Sequence, residues 1–227
     1  MKFDLRIEEG LPSTQTIAMA EARAGAPEGL AIMARRQTAG RGRGGREWSS
    51  PAGNLAISIV LRPNADIAEA SQWALRTAVA LAEALLPYAP ALQLKWPNDV
   101  MLGDAKLAGI LVEADADTNG RIAHLVLGIG ANLGHAPDLA GRATACLPEP
   151  HPAPETVANA LLEAIARWDI ATFAAVRGAW LARGPGPGTK LSLRDGRAGL
   201  FAGLAEDGKL LLDTGGTIET VFAGELV

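Results

Sequence analysis

The chain of 227 residues is poor in the residue types from which much catalytic machinery is built. It holds one cysteine, Cys146, and three histidines, His124, His135 and His151. A single thiol excludes an internal disulfide framework, and histidines at no metal-ligand spacing leave no zinc-hydrolase signature and no candidate metal ligands. No G-x-S-x-G elbow is present, which disfavours serine hydrolysis. Positive charge is in deficit. The 21 basic and 25 acidic side chains leave a net charge of −4, so the chain lacks the overall field that non-specific nucleic-acid binding relies on. Long apolar runs are missing too. Residues 1–10 carry Lys2, Asp4, Arg6, Glu8 and Glu9, and the most apolar long segment, 68–87, is broken by Glu69, Gln72, Arg76 and Glu83. The first fact argues against a secretory signal, and the second suits a core-facing helix better than a membrane span. A cytoplasmic protein with no membrane partner is the expectation. At 48% hydrophobic residues, the chain has ample material for a core.

Against these absences stands one local excess. Gln37-Thr38-Ala39-Gly40-Arg41-Gly42-Arg43-Gly44-Gly45-Arg46-Glu47-Trp48 alternates glycines with guanidiniums and ends on an indole. Glycine lets successive backbone N–H groups approach a ligand, and Arg41, Arg43 and Arg46 offer planar forks for phosphate or carboxylate oxygens. It reads as an anion-binding loop. A solvated flexible loop or an RNA-touching Arg/Gly segment would share the composition. The loop is neither a P-loop, since no Lys-Ser/Thr follows the glycines, nor a dinucleotide fingerprint, since no short strand-to-helix turn surrounds it.

The flanking pattern alternates strand and helix. Residues 2–8 read as a strand, and Ser13 or Thr14 caps a helix to about Ala24, with Gly25 as its stop. Ser13, Thr14 and Gln15 serve either as caps alone or as polar groups presented to a ligand at a helix N-terminus. Strands over 30–35 and 54–62 lead into and out of about eighteen residues without regular pattern, a length that points to function or disorder inside a compact domain. Trp48 at the far end could be plain packing or the aromatic part of a lid. A helix over about 68–86 precedes a strand over 92–96, which runs into the turn formers Pro97, Asn98 and Asp99. Lys106 opens an apolar strand over 106–113, a costly place for a lone charge unless an anion meets it. A strand over 121–133 alternates Gly128 and Gly130 on one face, where a flat ligand or another backbone could come close. Residues 137–154 read as irregular, and 155–183 as one or two helices burying Trp168, Phe173 and Trp180. The Gly184–Gly188 run of glycine and proline reads as a linker, followed by short strands over 190–193, 198–205, 209–212 and 219–226 with Asp-Gly and Gly-Gly hairpin turns.

Four of these segments in this order resemble the biotin protein ligases, which attach biotin to the carrier domain of carboxylases. The Gly40–Arg46 loop is similar to that family's biotinyl-adenylate loop. Lys95-Trp96-Pro97-Asn98-Asp99 and Lys106-Leu107-Ala108-Gly109-Ile110-Leu111 are similar to its two central motifs, and Gly128-Ile129-Gly130-Ala131-Asn132-Leu133 to its glycine strand. A small barrel ending in Gly224-Glu225-Leu226 completes a match over essentially the whole sequence. Two departures stand out: Gln15 occupies the place of the family's usual Asn, and Gly44 that of an arginine.

The resemblance implies an α/β fold, with a mixed-sheet catalytic domain like those of class II aminoacyl-tRNA synthetases and lipoate ligases over 1–183. A linker at 184–188 and an SH3-like barrel over 189–227 follow. It implies ATP with Mg2+ and biotin as substrates, and the biotin carboxyl carrier domain of acetyl-CoA carboxylase or a related carboxylase as partner. It leaves a homodimer open. No helix-turn-helix precedes Ser13, so direct DNA regulation is not expected. Lys106 would bridge the biotin carboxylate and the α-phosphate, with Arg41 and Arg43 holding carboxyl and phosphate groups. Ser13, Thr14 and Gln37 would hydrogen-bond the ureido ring, with Gln15, Gly40 and Gly109 also lining the biotin site. Arg46 and Trp48 would close over the adenylate, Asn132 would contact adenine, and Asp99 would orient or deprotonate the incoming amine. A lipoate or octanoate ligase or transferase of the same fold is the nearest alternative. A non-catalytic biotin- or RNA-binding module is the more distant one.

Overall fold

A computed structural model describes residues 1–222 and 224–226. The chain runs β1 (Asp4–Glu8), α1 (Thr14–Arg23), β2 (Leu30–Ala34), β3 (Leu55–Leu61), α2 (Gln72–Leu85), β4 (Leu92–Lys95), β5 (Asp99–Leu102), β6 (Ala105–Ala116) and β7 (Ile122–Ala131). It continues with α3 (Pro154–Asp169), α4 (Phe173–Leu181), β8 (Lys190–Ser192), β9 (Ala198–Leu204), β10 (Leu210–Asp213) and β11 (Ile218–Val221). The first seven strands form one mixed sheet in the order β1-β2-β3-β7-β6-β5-β4, in which β1 and β2 are parallel and every other pair is antiparallel. The last four form an antiparallel sheet, β11-β10-β9-β8, and a bridge between Leu193 and Leu226 brings its two ends together.

Alternation along the central strands sorts side chains between two faces, because successive strand residues point to opposite sides. On β3, Leu55, Ile57, Ile59 and Leu61 enter the large core under α2 and α3, whereas Val60 enters a smaller cluster under α1. On β7, Leu125, Leu127, Ile129 and Ala131 join the large core. The opposite face of β7 carries Val126, Gly128 and Gly130, with only Val126 packed under α1. The α1 face is therefore covered at one end and left open where the glycines begin. That opening is the floor of the candidate site.

The C-terminal sheet shares the large core rather than standing apart. Phe201, Leu204, Leu210, Leu212 and Val221 belong to the same cluster as Trp96 and Trp180. Trp96 Nε1 donates to the Gly208 carbonyl at 3.2 Å, and the Leu94 amide to the Arg183 carbonyl at 2.8 Å.

Three local differences from the sequence pattern have simple causes. The helix over 68–86 begins as a 3-10 turn at 67–71, started by the reciprocal Asp66 and Glu69 hydrogen bonds of a capping box, before α2 proper. The turn formers at 97–99 occupy only the tip of a hairpin, and Asp99 already belongs to β5, a four-residue strand too short for its alternation to register. The strand expected over 219–226 is observed as Ile218–Val221, and Ala223 and Val227 lie outside the described residues.

Candidate active site

A cavity of about 540 Å³ opens above Gly128 and Gly130, walled by the N-terminus of α1, the 40–48 loop, the start of β6 and the 137–144 segment. Two residues along a strand span about 6.6 Å, so Gly128, Gly130 and Asn132 act as a ruler of roughly 13 Å along the floor. Each mark on the ruler meets different chemistry.

At Gly128 the surroundings are polar, an amide-and-hydroxyl network that ends on the Glu113–Arg41 ion pair. A Cβ there would collide with the Gln15 amide oxygen, so the glycine is what lets this side chain lie on the sheet. The Ser58 hydroxyl donates to Gln15 Oε1 at 3.0 Å and lies 2.9 Å from the Thr14 hydroxyl. Gln37 Oε1 accepts from the Thr14 amide at 2.7 Å and from its hydroxyl at 3.1 Å, while Gln37 Nε2 donates to Ser50 Oγ at 3.0 Å. Ser13 caps α1, its oxygen accepting from the Thr16 amide. Capping and ligand presentation are thus both available to this segment: Ser13 makes the cap, and Thr14 and Gln15 point toward the cavity. Ser13, Thr14, Gln15 and Ser58 are all buried.

Trp48 covers Gly130. A Cβ at that glycine would fall inside the indole, and one at Gly109 across the strand would sit 3.0 Å from Lys106 Nζ and 3.3 Å from Trp48. The flat group laid on the glycine strand is therefore, in this state, the chain's own tryptophan, over which Lys106 Nζ lies 5.4 Å from the ring centroid. Gly40 is equally constrained, because a Cβ would strike the Trp48 carbonyl, and the Trp48 amide donates back to the Gly40 carbonyl at 2.9 Å. Between these anchors, Gly44 and Gly45 take φ of +69° and +76°, a backbone region that glycine enters without strain. An arginine at position 44 would be strained in this conformation.

Past Gly130 the cavity becomes cationic. Lys106 Nζ donates to Asp99 Oδ1 at 2.6 Å, with the lysine side chain only 14% exposed. Burial pushes its pKa below that of an ordinary lysine, and the adjacent Asp99 carboxylate offsets part of that shift. The 143–145 segment straps the same residue, its backbone exchanging hydrogen bonds with Lys106 N and O at 2.9 Å. Asn132 is buried, its Nδ2 donating to the Ala145 carbonyl at 3.0 Å, while its Oδ1 has no partner.

The loop arginines are held by carboxylates and carbonyls far along the chain. Arg41 Nη2 donates to Glu113 Oε1 at 2.9 Å, and Gln15 Nε2 donates to the other oxygen of Glu113 at 3.0 Å. Arg43 donates to the Gly224 carbonyl at 2.7 Å, and Arg46 to Glu225 Oε1 at 2.5 Å. Burial lowers the pKa of Arg43, opposed by the nearby charges of Glu225 and Asp99.

The structure thus gathers Ser13, Thr14, Gln15, Gln37, Arg41, Arg43, Arg46, Trp48, Lys106, Gly109 and Asn132 around one cavity. Asp99 stands just behind Lys106, and Gly40 supports Trp48. Sequence reading missed Ser58, Glu113, Arg142 and Glu225. Ser58 carries a signal in hindsight, being the lone polar residue inside the apolar run of β3. Arg142 carries none, and Glu225 shows only as part of the Gly224-Glu225-Leu226 ending, because the partners of each are set by what the fold brings beside it. Among the described residues no group of three or more His, Cys, Asp or Glu is placed to hold a metal, and no helix is long and apolar enough to cross a membrane.

Comparison with known proteins bears on this geometry. Residues 9–132 match the biotin/lipoate A/B protein ligase family. The biotin–[acetyl-CoA-carboxylase] ligase of Paracoccus denitrificans is 41% identical over 199 residues, covering 80% of this chain and 82% of its own length. The enzyme of the same name from Mycobacterium tuberculosis is 32% identical over 232 residues, covering 95% and 85%. Among solved structures, the biotin protein ligase of Aquifex aeolicus in complex with biotin and ATP superposes with a TM-score of 0.83 at 27% identity, covering 99% of this chain and 97% of that one.

Proposed function

The chain belongs to the biotin/lipoate A/B protein ligase family, and we propose that its cavity joins biotin and ATP as biotinyl-5'-adenylate and passes the biotinyl group to a lysine on a carboxylase's carrier domain. The observation that carries biotin over a fatty acid or lipoate is the buried neutral end at Gly128. A ureido ring presents a carbonyl and two N–H groups to the hydroxyls and amides of Ser13, Thr14, Gln15, Gln37 and Ser58. An alkyl or dithiolane end would displace water from that network without using its remaining donor and acceptor capacity, which a ureido ring can use.

With the ring at that end, the acid's carboxylate reaches Lys106, which exchanges Asp99 for the substrate anion. A carboxylate oxygen attacks the α-phosphorus of ATP, the α–β phosphoanhydride bond breaks, and pyrophosphate departs. Lys106 and Arg43 stabilise the charge that develops, acting where water is excluded and the local dielectric is low, and Arg41 joins them only by leaving Glu113, which holds it beside Gln15 in this structure. Magnesium supplies further positive charge there as part of the ATP complex, a mode in which the ion keeps mostly water and phosphate oxygens as ligands. Asn132, with its unpartnered oxygen, suits an amino group such as that of adenine. Trp48 and the 40–48 loop cover the mixed anhydride and slow its hydrolysis.

In the second half-reaction the carrier's amine attacks the anhydride carbonyl, the C–O bond to AMP breaks, and an amide forms. Asp99, released from Lys106 while that lysine holds substrate, takes the proton. In this reading residues 1–183 form the catalytic domain and 189–227 the barrel that closes the loop from outside. The setting is the cytoplasm, where Cys146 stays a thiol.

ATP–pyrophosphate exchange with biotin, octanoate, lipoate or no acid tests the reading. Exchange with biotin alone is expected. Exchange supported by octanoate or lipoate instead would move the chain to the other branch of its family.

A further inference from the structure

Glu225 is an overloaded carboxylate. Its Oε1 accepts from Arg46 Nη1 at 2.5 Å and from Arg142 Nη2 at 2.6 Å, so two guanidiniums crowd onto a single oxygen. Arg194 stands 3.6 Å from the other oxygen. Three arginines thus share one compensating charge, and all three line the cavity at its cationic end. The carboxyl is half-buried, which opposes its ionisation, yet the Arg46 hydrogen bond and the charges of Arg46, Arg194 and Arg142 together hold its pKa below the ordinary range.

Arg142 is also fixed relative to the reacting centre. It closes a tight turn with Leu139, and the next residue's carbonyl accepts from the Lys106 amide at 2.9 Å. The guanidinium is near enough to Lys106 for its charge to oppose protonation there. The cluster lines the same cavity, and the segment carrying Arg142 is held to Lys106 by backbone hydrogen bonds.

We infer that Arg142, with Arg46 and Arg194, forms the subsite for the β- and γ-phosphates of ATP and for departing pyrophosphate, and that Glu225 is the internal anion they release when those phosphates arrive. The inference rests on the adenylating function proposed above. Two guanidiniums held a few ångströms apart match the oxygens of a diphosphate, whose charge compensates them better than one carboxylate does.

The test separates ATP from the adenylate, which lacks the β- and γ-phosphates. Arg142→Ala should raise KM for ATP and for pyrophosphate in the exchange reaction by tenfold to a hundredfold, about the loss expected for one charge-assisted hydrogen bond. Binding of biotin and of a non-hydrolysable biotinyl-adenylate analogue should change less than about twofold, and Arg142→Lys should recover part of the loss. Equal weakening of the analogue would place Arg142 on the α-phosphate or the base, and unchanged KM values would remove it from the site. Either result overturns the inference.

Should Arg142→Ala lose biotin as well, Glu225→Gln decides, because it leaves the arginines in place. Loss of the competing anion is expected to lower KM for pyrophosphate severalfold, and an unchanged or higher value refutes the role given to Glu225. Wild-type exchange with biotin is the control: without it the parent function fails, whereas its presence with no response to these variants sinks only the subsite.

Discussion

The two ends of the cavity are built on opposite plans. At Gly128 every polar side chain already has a partner inside the protein, through the chain of contacts from Gln37 to Thr14, Ser58, Gln15 and Glu113. At the Lys106 end cations outnumber anions, since Asp99 serves one lysine and Glu225 three arginines. A satisfied hydrogen-bond network positions a neutral group and costs little when empty. An excess of half-buried positive charge is unfavourable until an anion enters, so it is the end whose energy changes most through the reaction. Under the proposed function, the contrast separates recognition from catalysis along one strand, with Trp48 over Gly130 as the divider.

Breaking the cationic end should have the largest effect. Lys106→Ala removes the charge that the proposed function places between carboxylate and phosphate, and is expected to lower the adenylation rate by at least about 10²–10³-fold. Thermal unfolding should still be cooperative but at a lower temperature, because Asp99 is left partly buried without its partner. A near-normal exchange rate would end the distinction between the two ends.

Disturbing the divider comes next. In Gly130→Ala the added methyl displaces the Trp48 indole. Misplacement on the scale of an ångström near reacting groups costs on the order of 10² in rate. The measurement is adenylate formation against its hydrolysis, with hydrolysis expected to rise relative to transfer. If the ratio stays constant, Trp48 is packing and not a lid.

At the neutral end, Ser58→Ala removes the hydroxyl between Thr14 and Gln15, and should weaken biotin binding by about tenfold, the worth of one buried hydrogen bond. Turnover at saturating biotin should hold. A fall in turnover with unchanged KM would mean that the two ends are coupled.

The smallest effect is a pH dependence. Because burial lowers the Lys106 pKa, the free enzyme's ammonium is lost at a lower pH than an ordinary lysine's. Activity per biotin encounter is then complete below that depressed value and declines as pH rises through it. Replacing Lys106 by Arg, which stays charged, should remove the decline even where it reduces the maximal rate.

Much of this organisation was legible beforehand, for reasons that are local. The 40–46 loop announces itself because close backbone approach and anion binding each need a particular residue type. Lys106 stands out because a charge at the head of an apolar strand needs an explanation. Gly128 and Gly130 betray an approaching group by lacking side chains, although the groups found there are Gln15 and Trp48. β5 escaped because four residues carry too little periodicity, and Ser58 is a single polar residue in a buried strand, too weak a signal to stand out.

The sequence by itself therefore determined the inventory: an α/β order of elements, a glycine floor, a mobile-looking cationic loop and one exposed-to-ligand lysine. Periodicity and residue chemistry act over a few neighbours, and that range sufficed. Only the tertiary structure decided which charges face one another. Arg43 meets Gly224 and Arg46 meets Glu225 across about 180 residues of chain, and Arg142 reaches the same carboxylate from a third segment. Such pairings depend on how the seven-stranded sheet and the C-terminal sheet close around a shared core, and no local pattern encodes a distance between segments that far apart.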